Sequence, residues 1–124
     1  MAALALLHPL IGRSIELPEH LVTRWPELRD AHWRRGGLFV RIGGWCLGAR
    51  SVAAITLWRV VWLAPDVSCA AELLLHELRH VQQFRASLAF PILYVWESVR
   101  RGYFHNRYEA DARDWAARRL HGSP

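Results

Sequence analysis

The spacing of apolar residues changes along the chain, and each change marks an element. From Pro18 and Glu19, the residues His20, Leu21, Trp25, Leu28 and Ala31 follow a helical period that ends at Gly36-Gly37. Pro26 falls inside this stretch and must divide or kink it, because proline has no backbone N–H. Leu38 to Ile42 then reads as a short strand before Gly43-Gly44. Residues 51–63, SVAAITLWRVVWL, are rich in β-branched and aromatic side chains and read as a second strand, ended by Ala64-Pro65-Asp66. The Gly-containing segment between them lets the two strands pair as a hairpin. Beyond Pro65 the pattern is helical. Asp66 or Ser68 can cap a helix through CAAELLLHELRHVQQFRASL, and Pro91 opens another from Ile92 to Arg101, broken at Gly102. Asn106 caps a last helix that runs to about Leu120, before Gly122. An N-terminal helix, two or three strands and three further helices make an α+β domain. Its short antiparallel sheet is expected to pack against the helix around His76, with two more helices behind, and residues 1–124 read as a single domain.

Composition narrows the class. At 124 residues and 52% apolar, with 22% charged, the chain can bury a core and is not disordered. No uncharged apolar run reaches the roughly 18 residues of a membrane span; Ala86 to Trp96 is too short and holds Pro91. Met1 to Leu7 is apolar but lacks a basic flank and a cleavage site, so the expected location is cytoplasmic. The net charge is +5, and every basic residue is Arg. Arginine suits phosphates, but here it is scattered, in doublets at Arg34-Arg35, Arg100-Arg101 and Arg118-Arg119, with no basic block. Nucleic-acid binding is therefore the weakest of the readings. Cys46 and Cys69 have no CxxC spacing and read as separate thiols.

The chemistry lies in His76-Glu77-Leu78-Arg79-His80, an HExxH string. On a helix His76 and His80 lie about 40° apart, one turn above the other, so both imidazoles can reach one Zn²⁺. Glu77, about 60° from His80, stands beside the metal and can take a proton from water there. Leu74, Leu78 and Val81 on the other side would anchor the helix. Two histidines and a glutamate in a Leu-rich segment are costly to bury without partners, and a metal supplies them. A catalytic zinc needs a third protein ligand. His105, Glu109, Asp111 and Asp114 are the candidates. Glu109 sits at the centre of the small apolar face of the last helix, among Ala112, Ala116 and Leu120. Asp111 and Asp114 turn the other way, as solvated charges. Glu109 is the expected third ligand, with His105 the runner-up.

HELRHVQQF at residues 76–84 and FHNRYEADA at residues 104–112 together resemble the short gluzincin-type zinc metallopeptidase domains. Those pair a His-Glu-x-x-His-Val-x-Gln helix with an Asn-x-(aromatic)-Glu-x-(acid)-Ala segment on a later helix, and the similarity spans about residues 38 to 120. The resemblance implies a zincin-like fold, with His76, His80 and Glu109 as zinc ligands and Glu77 as general base. Larger thermolysin-like enzymes carry an acid four residues after the third ligand, where this chain has Arg113. Asp66, Glu72 and Asp114 are open candidates for the missing support of a zinc histidine.

The leading expectation is a zinc-dependent metallopeptidase acting on a peptide or protein substrate, which would add to the edge strand near Ala53 to Leu57. A non-catalytic, zinc-stabilised binding module on the same scaffold is the alternative, ahead of the Arg-rich nucleic-acid binder. Gln83 is read equally as support for the site and as an exposed polar residue. Tyr94, Tyr103, Tyr108 and Arg107 read first as packing or surface, and second as oxyanion donors. Trp58 and Trp62 read as core on one strand face.

Overall fold

The computed structural model describes residues 11–40 and 53–122. It is α+β, and it divides into two compact units, Met1–Cys69 and Ala70–Pro124.

The first unit holds a four-stranded mixed sheet, in the order β1-β2-β4-β3. The strands are β1 (Arg13–Ser14), β2 (His32–Arg35), β3 (Ala54–Leu57) and β4 (Val60–Leu63). β1 and β2 are antiparallel, β2 and β4 are parallel, and β3 and β4 are antiparallel. The expected purely antiparallel sheet of two or three strands is thus corrected to four strands with one parallel pair. β4, the sequence VVWL, lies between two neighbours, and its Val61, Trp62 and Leu63 are all buried. A run of consecutive apolar residues suits a strand covered on both faces.

Three local expectations change. The 51–63 stretch is not one strand but a hairpin, in which β3 and β4 meet across Trp58-Arg59 and Leu57 pairs with Val60. Trp58 takes the left-handed turn position, φ 54°, and is exposed; Trp62 is buried as expected. A two-residue loop demands that conformation of its first residue, whatever the side chain's β propensity. The strand expected at residues 38–42 is absent from 38–40, which are helical, and 41–42 lie outside the described residues. The strand stands earlier instead, at His32–Arg35, where two arginines hid its apolar signal. Upstream, Pro26 does divide the first helical stretch, into α1 (Glu19–Arg24) and a 3-10 turn at Pro26–Asp30.

Those β2 arginines are structural. Arg34 donates to the carbonyls of Ile11 and Gly12 at 2.7 and 3.0 Å, and Arg35 to those of Ala64 and Val67 at 2.8 and 2.6 Å. Trp33 Nε1 donates to the Leu28 carbonyl at 2.8 Å, tying the 3-10 turn to the sheet. Cys69 is a free thiol that accepts from Arg35 at 3.4 Å; Cys46 lies outside the described residues.

The second unit is helical: α2 (Ala71–Ala86), α3 (Phe90–Arg101) and α4 (Arg107–Leu120). α2 starts after Ala70 with no side-chain cap, so neither Asp66 nor Ser68 performs the expected capping. Leu74, Leu75, Leu78 and Val81 give it a fully buried face. Pro91 stands in the first turn of α3, where its missing N–H costs nothing. Gly102 ends α3 with φ 81°. Asn106 caps α4 as expected, its side chain accepting from the Tyr108 N–H at 2.8 Å. The buried face of α4 is Glu109, Ala112 and Ala116. Side chains this small let α4 lie close along α2.

Candidate metal centre

All the groups described next belong to the helical unit. His76 and His80 project from successive turns of α2, with ring centroids 5.0 Å apart. Opposite them stands Glu109, in the first turn of α4. Its carboxylate spans the two imidazoles: His76 Nε2 donates to Oε2 at 3.0 Å, and His80 Nε2 to Oε1 at 2.9 Å. One donor atom from each residue falls within a 4.8 Å group, and these three can hold a metal ion. Tetrahedral ligands about 2.0–2.1 Å from an ion stand roughly 3.3 Å from one another, so the donor set fits with small side-chain adjustments. His105, the runner-up, is exposed and takes no part in the cluster.

The electrostatics reflect this packing. Burial alone would raise the pKa of Glu109, but the hydrogen bonds and charges of His76 and His80 outweigh it and hold the carboxyl well below its usual range. Burial likewise disfavours a charged His80. The hydrogen bond to Glu109, with the charges of Glu77 and Glu109, reverses that and raises its pKa to about 9. Glu77 is itself buried, at 7% exposure, and its charge is felt at both His80 and Tyr94.

The support behind His80 is an amide, not a carboxylate. His80 Nδ1 lies 2.7 Å from Gln83 Oε1. The Gln83 amide nitrogen donates to the Tyr108 carbonyl at 3.0 Å and to Asp111 Oδ2 at 2.9 Å. Both of those partners are acceptors, so the orientation of the amide is settled: its oxygen faces His80, and Nδ1 carries a proton as well as Nε2. Nε2, whose proton points at Glu109, is the nitrogen that would face a metal once that proton is lost. Asp111 is held in turn by Arg79, at 2.7 and 3.3 Å, which keeps its carboxyl below the ordinary range. Arg79 also donates to Gln82 at 2.8 Å.

Asp111 was expected to be a solvated charge facing outward, and this is corrected. The wheel angle alone placed it away from Glu109, but Arg79 and Gln83, four residues apart on α2, reach across to it. The Glu-x-(acid) pattern at 109–111 was the sequence signal for it. Tyr94 was also undervalued: its hydroxyl donates to Glu109 Oε1 at 2.9 Å, and burial with the nearby Glu109 charge raises its pKa strongly. Burial and the nearby Glu109 and Glu77 charges raise the pKa of Tyr103 as well. Tyr108 packs its ring on Phe90, and Arg107 lies 3.6 Å from the buried Glu97, so these two are structural.

No family model, curated protein or solved structure matches the chain. The reading of the centre therefore rests on its own geometry and chemistry.

Proposed function

We propose that this protein is a zinc-dependent metallopeptidase, with His76, His80 and Glu109 as metal ligands and Glu77 as general base. One observation carries the reading: the buried Glu109 carboxylate spans both imidazoles of an HExxH helix from a separate helix. Two neutral nitrogens and one carboxylate are a donor set suited to Zn²⁺, and they leave a coordination position for substrate. The ion, when bound, supplies a Lewis acid that polarises the scissile carbonyl and acidifies water.

The chain's own groups do the rest. Glu77 accepts a proton from the attacking water and returns it to the leaving amine, which needs a carboxylate close to the ligands and shielded from bulk water. Gln83 holds the His80 ring with Nε2 facing the ligand position. Tyr94 fixes one Glu109 oxygen and so limits how the carboxylate can turn. The gluzincin resemblance supports the same assignment of residues.

The test is hydrolysis of a fluorogenic peptide library by the metal-loaded chain, by a chelated sample and by Glu77→Gln. Activity that needs both zinc and Glu77 is expected. Stoichiometric zinc without hydrolysis would favour the non-catalytic binding module, and zinc-independent hydrolysis would refute the mechanism.

A further inference from the structure

α3 carries an apolar stripe on its outer face. Ile92, Val95, Trp96 and Val99 fall within about 100° of the helix circumference, and Leu88 continues the line just ahead of it. These five side chains are between 59% and 99% exposed. Isolated exposed apolar residues are ordinary; a contiguous row with no polar member marks a contact surface.

The charges around the stripe identify its partner. Residues 85–107 contain four arginines and a single acid, Glu97. That acid is turned inward at 4% exposure, 3.5 Å from Arg101 and 3.6 Å from Arg107. The outer surface of the segment therefore presents positive charge without exposed carboxylates. Arg85 and Arg100, both exposed, flank the stripe along the chain, one in the last turn of α2 and one in the last turn of α3. A second copy docked here by symmetry would set these arginines against their equivalents, which is repulsive. Acyl chains need no polar group for register, anionic headgroups complement the arginines, and Trp96 suits the boundary between the two.

We propose that the outer face of α3 is a peripheral docking surface for an anionic lipid bilayer, with the Leu88–Val99 stripe at the acyl boundary and Arg85 and Arg100 on headgroup phosphates. Such binding lies on the membrane and spans nothing. It is independent of the metal centre.

The experiment is co-sedimentation of the full chain with phosphatidylcholine vesicles, with and without phosphatidylglycerol, at low and high salt. Binding is expected only with the anionic lipid, and it should weaken as salt rises. Val95→Glu with Val99→Glu should lower partitioning more than about tenfold while circular dichroism and melting stay unchanged, since both positions are open to solvent. Should that pair fail to fold, Arg85→Gln and Arg100→Gln carry the test, each costing about fivefold. Equal pelleting of parent and variants would overturn the proposal, as would no pelleting with anionic vesicles. A dimer in light scattering that the double variant abolishes, without vesicle binding by the parent, would assign the face to a second copy instead.

Discussion

Behind His80 in the candidate centre stands a neutral side chain, Gln83, rather than a carboxylate. Its amide has both ends committed: the nitrogen to Tyr108 and Asp111, the oxygen to His80. The His80 ring is therefore fixed in rotation, with its Nδ1 proton committed to Gln83. Gln83→Ala should weaken zinc binding by about 10–100-fold in a chelator competition, the usual cost of losing an outer-shell partner. Asp111→Ala should act in the same direction but less strongly, because Tyr108 still orients the amide. An unchanged affinity in Gln83→Ala would remove the positioning role. Glu109→Ala should lose metal outright if Glu109 is the third ligand, whereas His105→Ala should keep it. At this scale the sequence was readable where a spacing rule applied. The i, i+4 histidines and the small-residue face around Glu109 stand where helical periodicity put them. Tyr94 and Asp111 were misread because their roles depend on reach across to another helix, which a wheel of one helix does not contain.

Elements were legible where a terminator residue spoke clearly. Pro26, Pro91, Gly102 and Asn106 mark helix boundaries that the structure reproduces. The sheet was harder. Its hairpin turns at Trp58-Arg59, a pair with none of the usual turn chemistry, and β2 hides in the polar run HWRR. Tertiary partners decide both: Arg34 and Arg35 are valuable in a strand because backbone carbonyls surround them. Two glycines give a sharp comparison of local effects. A Cβ on Gly12, φ 67°, would stand 2.6 Å from the Arg35 carbonyl oxygen and 2.7 Å from that of Gly36, both backbone atoms. Gly12→Ala should cost about 3 kcal/mol or more, combining left-handed strain with a clash that no side chain can relieve. Gly102, φ 81°, has nothing within 4 Å of the added carbon. Gly102→Ala should cost less, about 1–3 kcal/mol, from backbone strain alone, because its ψ of 162° lies in a region almost exclusive to glycine. Denaturant melts of the two variants would check the order, and equal losses would mean that the β1–β2 junction yields. Asn106→Ala belongs with them. It removes an N-cap and also the amide donations to the Tyr94 carbonyl at 3.1 Å and to Ser98 Oγ at 2.9 Å. A loss of about 2 kcal/mol is expected by thermal or denaturant unfolding.

For the molecule as a whole, the arginines do not act as one surface. The +5 charge carried entirely by arginine invited a phosphate-binding reading, yet the Arg34-Arg35 doublet is spent on backbone carbonyls, and Arg101 and Arg107 flank Glu97. What the sequence could not disclose is that the chain divides into two compact units, with every residue of the candidate centre in the second. That division makes the last prediction specific. A ligand that binds only the folded state stabilises it by about 2.7 kcal/mol at a hundredfold excess over Kd. For a unit of this size such a gain raises the melting temperature by on the order of 20 °C. Because the candidate ligands would join α2 to α4, calorimetry of the full chain should show zinc moving the transition of the helical unit, with EDTA reversing the shift. If the sheet unit melts separately, its transition should stay where it is. Glu109→Ala should melt at the same temperature with and without zinc, while Asn106→Ala should melt lower yet retain the zinc-induced rise. A shift that survives in Glu109→Ala would place the stabilising metal elsewhere and dissolve the three-ligand centre.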